Sequence, residues 1–194
     1  FGYYILGGRP LPLSLSPAAG DFGHPPALSL EGQGFSPTGD DLACIYGDPS
    51  GDTTTAASFI SAHEVHCAAP HTLPLGAIEV SATTDGGVHI GPDPGMHPNY
   101  KPPQLVVYDA SKPPEVTGVS PTWAPINGGT EVVVRGTNLA PTHRLACVFE
   151  RNGVAAATFL NETAVSCPTP LNARVGATLL SLTLDRATLS PGER

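Results

Sequence analysis

Apolar and polar positions alternate with period two along several short runs, each closed by glycine, proline, asparagine or serine. In the C-terminal half the alternation covers residues 130–135, 145–150, 154–160, 163–167 and 177–185, and it places every second side chain on one face of a strand. Asn127-Gly128-Gly129 and Arg135-Gly136-Thr137-Asn138 read as turns, where glycine and asparagine supply a positive φ that a bulkier residue resists. No stretch shows a helical period.

The same pattern occurs twice, which is the first thing to settle when a fold is read from sequence. Leu15-Ser16-Pro17 corresponds to Val119-Ser120-Pro121, and the run from Leu28 to Phe35 corresponds to the run from Val132 to Leu139. Cys44-Ile45-Tyr46 matches Cys147-Val148-Phe149, and Val65-His66-Cys67 matches Val165-Ser166-Cys167. Leu75-Gly76-Ala77 onwards matches Val175-Gly176-Ala177 onwards. Each half offers about seven short strands with frequent turns, the pattern of an immunoglobulin-like sandwich. The expected class is all-β, two tandem immunoglobulin-like sandwiches, with a first domain over residues 10–110, a short proline-containing linker over 111–115 and a second domain over 116–194. Pro113 and Pro114 fix φ and stiffen that linker. Residues 1–9, beginning Phe1-Gly2-Tyr3-Tyr4-Ile5, read as the closing strand of a preceding module, so the chain is expected to be a piece of a longer one. No equivalent of Leu105-Val106-Val107-Tyr108 follows Asp185. The second module is therefore expected to lack its last strand, which either lies beyond Arg194 or is supplied by a partner, since native sheets rarely leave an edge open.

Composition narrows the setting. Glycine and proline number 22 each among 194 residues, and 13% of residues are charged, which suits many short strands and turns better than solvated helices. Nine basic residues against seventeen acidic ones give a net charge of -8, with the basic ones scattered, so no basic stripe exists to neutralise a nucleic-acid backbone. No run of about eighteen apolar residues is present to cross a bilayer as a helix. The four cysteines fall two to each half, Cys44 and Cys67 in the first and Cys147 and Cys167 in the second, spaced too widely for CxxC metal knuckles or a thioredoxin-type site. Closed within each half they imply an oxidising, extracellular compartment; four buried free thiols are the alternative. Asn161-Glu162-Thr163 is an N-glycosylation sequon, with meaning only in a secreted context.

Candidate chemistry is sparse. His63, His66 and His71 lie close in sequence, but on a period-two strand His63 and His66 point to opposite faces, and their repeat counterparts Thr163, Ser166 and Leu171 are poor ligands, so surface histidines are expected and no metal. Asp40-Asp41, the segment from Asp48 to Asp52, and the pair Asp85 and Asp93 lack the alternation of a calcium loop. There is no GxSxG elbow, HExxH, P-loop or GxGxxG, and His63-Glu64-Val65-His66 is one residue short of a zincin helix. No enzyme, catalytic residue or cofactor is expected. The segment from Gly86 to Pro103 is longer than a hairpin requires, and two readings of it stand side by side: a contact surface carried by an exposed Tyr100 beside Pro102 and Pro103, or a plain surface insertion or proline-stiffened cover over the sheet edge.

With these residues assembled, both halves resemble the IPT/TIG family of immunoglobulin-like modules, found in cell-surface receptors such as plexins and in extracellular repeat proteins. The resemblance rests on Val116-Thr117-Gly118-Val119-Ser120-Pro121, Asn127-Gly128-Gly129-Thr130, Cys147-Val148-Phe149 and Val165-Ser166-Cys167-Pro168-Thr169-Pro170. The first half is looser, with Gly23-His24-Pro25-Pro26 in place of the Gly-Gly-Thr turn. Family members commonly bridge the two cysteines, so the resemblance implies disulfides Cys44–Cys67 and Cys147–Cys167. Paired prolines and the richness in Ala, Gly, Pro and Thr also resemble the mastigoneme-type glycoproteins of green algae. The expected function is a non-catalytic structural and assembly module of a secreted or cell-surface multidomain glycoprotein, a spacer and interaction surface, in an extracellular filament on the algal resemblance. The alternatives are the stalk of a plexin-like receptor ectodomain and an accessory module of a secreted enzyme. Expected partners are neighbouring immunoglobulin-like domains of the same chain, other extracellular subunits including proline-rich ones, and a glycan on Asn161; nucleic acid is not expected.

Overall fold

In the computed structural model, residues 9–47, 51–93, 95, 97–171 and 173–184 are described. The expectations made for residues 1–8, for Asp48 to Ser50 and for the segment after Leu184 lie outside them. The chain divides into two compact units, Phe1–Val107 and Tyr108–Arg194.

The first unit is built from β1 (Leu11–Ser16), β2 (Ala19–Asp21), β3 (Leu28–Gln33), β4 (Ala43–Gly47), β5 (Thr53–Ser61), β6 (Glu64–Cys67), β7 (Gly76–Thr83) and β8 (Gln104–Tyr108). Their order is β1-β3-β6-β5-β4-β7-β8-β2. The long β5 belongs to both layers: Ala57 to Ser61 pair with β6, whereas Thr53 to Ala56 pair with β4. Alternation gives each layer its inner face. Leu28 and Leu30 point into the core with Val65, while Tyr46, Ile78, Val80, Leu105 and Val107 meet them from the opposite layer. Buried Tyr46 donates its hydroxyl hydrogen to Ala68 O at 3.3 Å, which answers the need of a phenol taken out of water.

The second unit holds β9 (Glu115–Ser120), β10 (Glu131–Thr137), β11 (Ala146–Phe149), β12 (Gly153–Ala156), β13 (Thr158–Asn161), β14 (Ala164–Pro168) and β15 (Leu180–Thr183). One layer runs β13-β14-β10-β9 and the other β12-β11-β15. Here the strand expected over 154–160 is divided at Ala157, so the counterpart of β5 is two strands. The strand expected over 177–185 is ordered as β15 from Leu180, and Asp185 lies outside the described residues.

The strand pairs β1–β3 and β9–β10 repeat each other in register. Ser16 pairs with Ser29 and Leu15 with Leu30, as Ser120 pairs with Val133 and Val119 with Val134. Both pairs of strands then slip by one residue at the same place, between Pro12 and Ser14 in β1 and opposite Arg135 and Gly136 in β10, which is a β-bulge. Gly32 and Gly136 sit at these bulges, where a Cβ would run into the carbonyl oxygen of Leu11 or Glu115. Each instead donates its N–H across the hairpin, Gly32 to His63 O at 2.9 Å and Gly136 to Thr163 O at 3.0 Å. The stretch 135–138, expected as a turn, is thus the bulged end of β10, and the positive φ falls at Asn138 (54°), matched by Gly34 (77°). A second bulge, at Ile60 and Leu160, recurs in the same way.

In each unit a disulfide joins strands that are not neighbours in a sheet. Cys44 of β4 is bonded to Cys67 of β6 with a Cα–Cα distance of 5.7 Å, and Cys147 of β11 to Cys167 of β14 at 6.3 Å. Both therefore cross the core from one layer to the other, and all four cysteines are fully buried.

Candidate interaction surface

The glycine turn before β10 is stitched to the chain that follows β14. Gly129 donates to Thr169 O and Thr169 to Thr130 O, both at 2.9 Å, and Ala173 donates to Ile126 O at 3.2 Å. Gly128 (φ 71°) lies so close to Pro170 and Leu171 that no Cβ fits. Farther along, Arg174 N is held by Asn152 Oδ1 at 2.9 Å and the Thr178 hydroxyl donates to Glu150 O at 2.7 Å.

These two stitched loops border a cleft of about 530 Å³ at one end of the second unit. Buried Val132, Phe149 and Leu180 line its base, with Trp123, Ile126 and Val175 at its mouth. Trp123 is 77% exposed and Val175 87%, a concentration of large apolar side chains in water that monomeric surfaces seldom carry without use. Arg174 is the charged residue of the lining. Sequence reasoning missed this place, because its residues read as turn and loop; the one signal was the unpaired tryptophan itself.

Tyr100 stands differently from an exposed contact. It is half-buried, its hydroxyl oxygen is enclosed with no hydrogen-bond partner among the described residues, and its ring edge lies 3.9 Å from where a Cβ on Gly91 would be. Burial first, and the charge of Glu79 second, push its pKa up to about 12, so it remains a neutral phenol. Pro102 and Pro103 are half-buried too. Tyr100 thus packs the long loop down onto its own unit, because an aromatic ring gains more from covering apolar surface than from standing in water.

The start of that loop is fixed by polar contacts. Buried Thr83 donates its hydroxyl to Asp85 Oδ1 at 2.8 Å, His89 donates its N–H to the same oxygen at 3.0 Å, and the His89 ring meets Asp85 Oδ2 at 2.6 Å. The His89 backbone bond, then its ring and the Thr83 hydroxyl, hold the Asp85 pKa down to about 2. A carboxyl whose folded pKa lies below its unfolded one of about 4 stabilises fully above the latter. That contribution is expected to fade as pH falls from about 4 towards 2, and an NMR titration of the Asp85 carboxyl, compared with Asp85→Asn, checks it.

His63 lies in the hairpin turn between β5 and β6, not on a strand, and His66 on β6 meets Glu64 Oε1 at 3.1 Å, where the Ser29 hydroxyl also donates at 2.8 Å. Among the described residues no three His, Cys, Asp or Glu side chains gather as metal ligands would. Asp93 Oδ1 accepts a hydrogen bond from Gly95 N at 2.8 Å, and Asp40 and Asp41 lie in a short 3-10 turn, Gly39–Asp41.

Asn161 is exposed at the end of β13, and its side-chain oxygen accepts hydrogen bonds from both the N–H and the hydroxyl of Thr163 at 2.9 Å. The two outer residues of the sequon therefore already touch.

At the entrance to the second unit, Asn138 serves as a clamp. Its Oδ1 accepts from Asp109 N at 2.9 Å, and its Nδ2 donates to Asp109 O at 3.0 Å and Lys112 O at 2.9 Å. Asp109 in turn accepts from Ser111 and pairs with Lys112 at 2.9 Å, and these contacts lower its pKa. The residues expected as a linker are thus ordered as a turn that leads into β9 at Glu115. Asn138→Gly keeps the left-handed backbone and removes the bonds, and is expected to destabilise the unit by about 1–2 kcal/mol. Asn138→Ala adds the strain of a positive φ and is expected to lose about 1 kcal/mol more in urea denaturation.

Residues 114–192 match the IPT/TIG domain model. The second unit is an IPT/TIG domain. The register shared by the two units extends the architecture of this IPT/TIG domain to the first. In overall structure the chain is similar to the plexin A4 extracellular region, at 12% identity and a TM-score of 0.39, covering 93% of this chain and 26% of that one. It is also similar to SGBP-B from a complex xyloglucan utilization locus in Bacteroides uniformis, at 16% identity and a TM-score of 0.43, covering 93% and 47%. A protein of unknown function from Bacteroides thetaiotaomicron gives 12% identity and a TM-score of 0.41, covering 94% and 48%. The chain thus spans less than half of each of these. No curated protein matches it.

Proposed function

We propose that the chain is a non-catalytic spacer and protein-interaction module of a secreted or cell-surface multidomain glycoprotein. The observation that carries this is the pair of cross-layer disulfides, one in each sandwich: such bonds persist in oxidising compartments and serve rigidity rather than reaction. The repeated register fixes the framework, while the units differ in their loops, in the segment between β7 and β8 and in the cleft beside Trp123. Surfaces that differ on a common frame are where recognition is built. The domain organisation that fits is one module ending near Asp109 and a second beginning near Glu115, each contacting neighbouring modules of the same polypeptide and other extracellular subunits.

Non-reducing peptide mapping of the chain recovered from the medium of secreting cells tests this. Crosslinked peptides joining Cys44 to Cys67 and Cys147 to Cys167, with a glycan on Asn161, are the expected result. Free thiols at all four positions in the native protein would overturn it.

A further inference from the structure

Residues opposite one another on antiparallel strands share a face of the sheet, so a register can be followed sideways from strand to strand. In the second unit the pairs Asn161↔Ala164, Arg135↔Ala164 and Arg135↔Gly118 make one row across β13, β14, β10 and β9. Val132, Val134, Val165 and Cys167 are buried on the inner face of this layer, and alternation puts the row on the outer face. The matching row of the first unit reads Ser61↔Glu64, Glu31↔Glu64 and Ser14↔Glu31. There the side chains occupy one another: the Ser14 hydroxyl donates to Glu31 Oε2 at 3.1 Å, and Glu64 Oε1 accepts from the Ser29 hydroxyl at 2.8 Å.

The row of the second unit is open instead. Ala164 carries only a buried methyl, so no side chain stands between Asn161 and Arg135, and Gly118 has open space where a Cβ would be. Arg135 is exposed, and its guanidinium has no partner among the described residues. At the start of the row, Asn161 Oδ1 is taken by the N–H and hydroxyl of Thr163. Its Nδ2, the nitrogen that carries an N-linked sugar, has no partner among the described residues.

We infer that this row is a docking site for the chain's own N-linked glycan: the first two N-acetylglucosamines, attached at Asn161 Nδ2, lie over Ala164 and bring hydroxyl and acetamido oxygens to the Arg135 guanidinium. This rests on the reading of the chain as a secreted glycoprotein and names the surface that its sugar covers. Asn161 and Arg135 are two strands apart, about 10 Å at the usual strand spacing, a distance that a disaccharide spans. The guanidinium presents several N–H donors and no acceptor, and it gives up its water more readily than an ammonium, so sugar oxygens suit it. The C–H faces of the rings cover the apolar stem of Arg135 and half-buried Val133 in the next outer row. Ser61-Ala62-His63 stands at the place of the sequon in the first unit, where the row is already filled by its own carboxylates.

A double-mutant cycle in the full secreted chain tests this. The glycosylated protein is compared with Asn161→Gln, which carries no sugar, each with Arg135 in place and with Arg135→Ala, by urea unfolding followed through the emission of Trp123. The glycan is expected to lower the unfolding equilibrium constant of the second unit about fivefold when Arg135 is present, the order of one net hydrogen bond, and by less than about twofold in Arg135→Ala. Thr163→Ala, which keeps Asn161 and abolishes the sequon, is the second unglycosylated arm, so a folding defect peculiar to Asn161→Gln does not decide the result. In the glycosylated protein, NMR is expected to show nuclear Overhauser contacts between an acetamido methyl and the side-chain protons of Arg135. An equal effect of the glycan with and without Arg135, absence of those contacts, or an Asn161 that leaves secreting cells without a sugar would each overturn the assignment. Any of these with both disulfides intact overturns this inference alone, whereas free thiols overturn the wider reading.

Discussion

Gly136→Ala is expected to destabilise the second unit by about 3 kcal/mol, and Gly32→Ala the first by a similar amount. At both bulges the added Cβ meets a backbone carbonyl oxygen, Glu115 O or Leu11 O, and not the movable end of a side chain. Relief requires the neighbouring strand to shift, and that strand is held on either side of the bulge by its ladder bonds. A domain of this size is stable by only about 5–15 kcal/mol, so the loss is a large fraction of the whole. Gly118 supplies the control: it lies on the partner strand β9, has open space where a methyl would stand and no positive φ, and Gly118→Ala is expected to be neutral or slightly stabilising. Urea unfolding, followed by Trp123 emission for the second unit, distinguishes them. Equal midpoints for Gly136→Ala and Gly118→Ala would show that the bulge yields more easily than its geometry indicates.

The second large effect is loss of a cross-layer bond. Cys147 and Cys167 are separated by 20 residues and Cys44 and Cys67 by 23, loops whose closure is worth about 3 kcal/mol each through restriction of the unfolded chain. Paired Cys→Ala replacement in one unit is expected to lower its stability by that amount while the other bond remains oxidised. Because all four sulfurs are buried, a reductant acts on the native protein only as fast as each unit opens. Slow reduction without denaturant and fast reduction in urea is the expected pair of observations. Rapid reduction of the folded chain would contradict the burial on which it rests.

Much of the fold is legible in the sequence because it is written there twice. The match of Leu15-Ser16-Pro17 to Val119-Ser120-Pro121, and of the run after Leu28 to the run after Val132, is a match of hydrogen-bond register, down to the bulge glycines. Period-two alternation locates β10, β11 and β14 within one or two residues. Three features escape it. The strand β2, three residues long, is too short to show alternation. Asn138 carries a backbone preference that a local pattern can read, whereas its side chain closes the entrance turn, a contact between residues 29 apart that no local pattern reveals. Prolines and glycines around Tyr100 point to solvent; tertiary packing overrides that local reading, since the loop folds back over Gly91 and encloses the ring. The cleft beside Trp123 is lined largely by residues that read as turn and loop, so no local pattern marks it.

The cross-layer bonds also change how the molecule carries tension. A pull applied along the backbone enters at Cys44 and leaves at Cys67 through the sulfur bridge, and again from Cys147 to Cys167, so the residues between are bypassed. At about 3.5 Å per extended residue, the bypassed lengths are about 80 Å and about 70 Å. An oxidised tether of these units therefore gives out less length when its sandwiches open than a reduced one, by about those two lengths together, and its maximum reach is set by redox state as well as by folding.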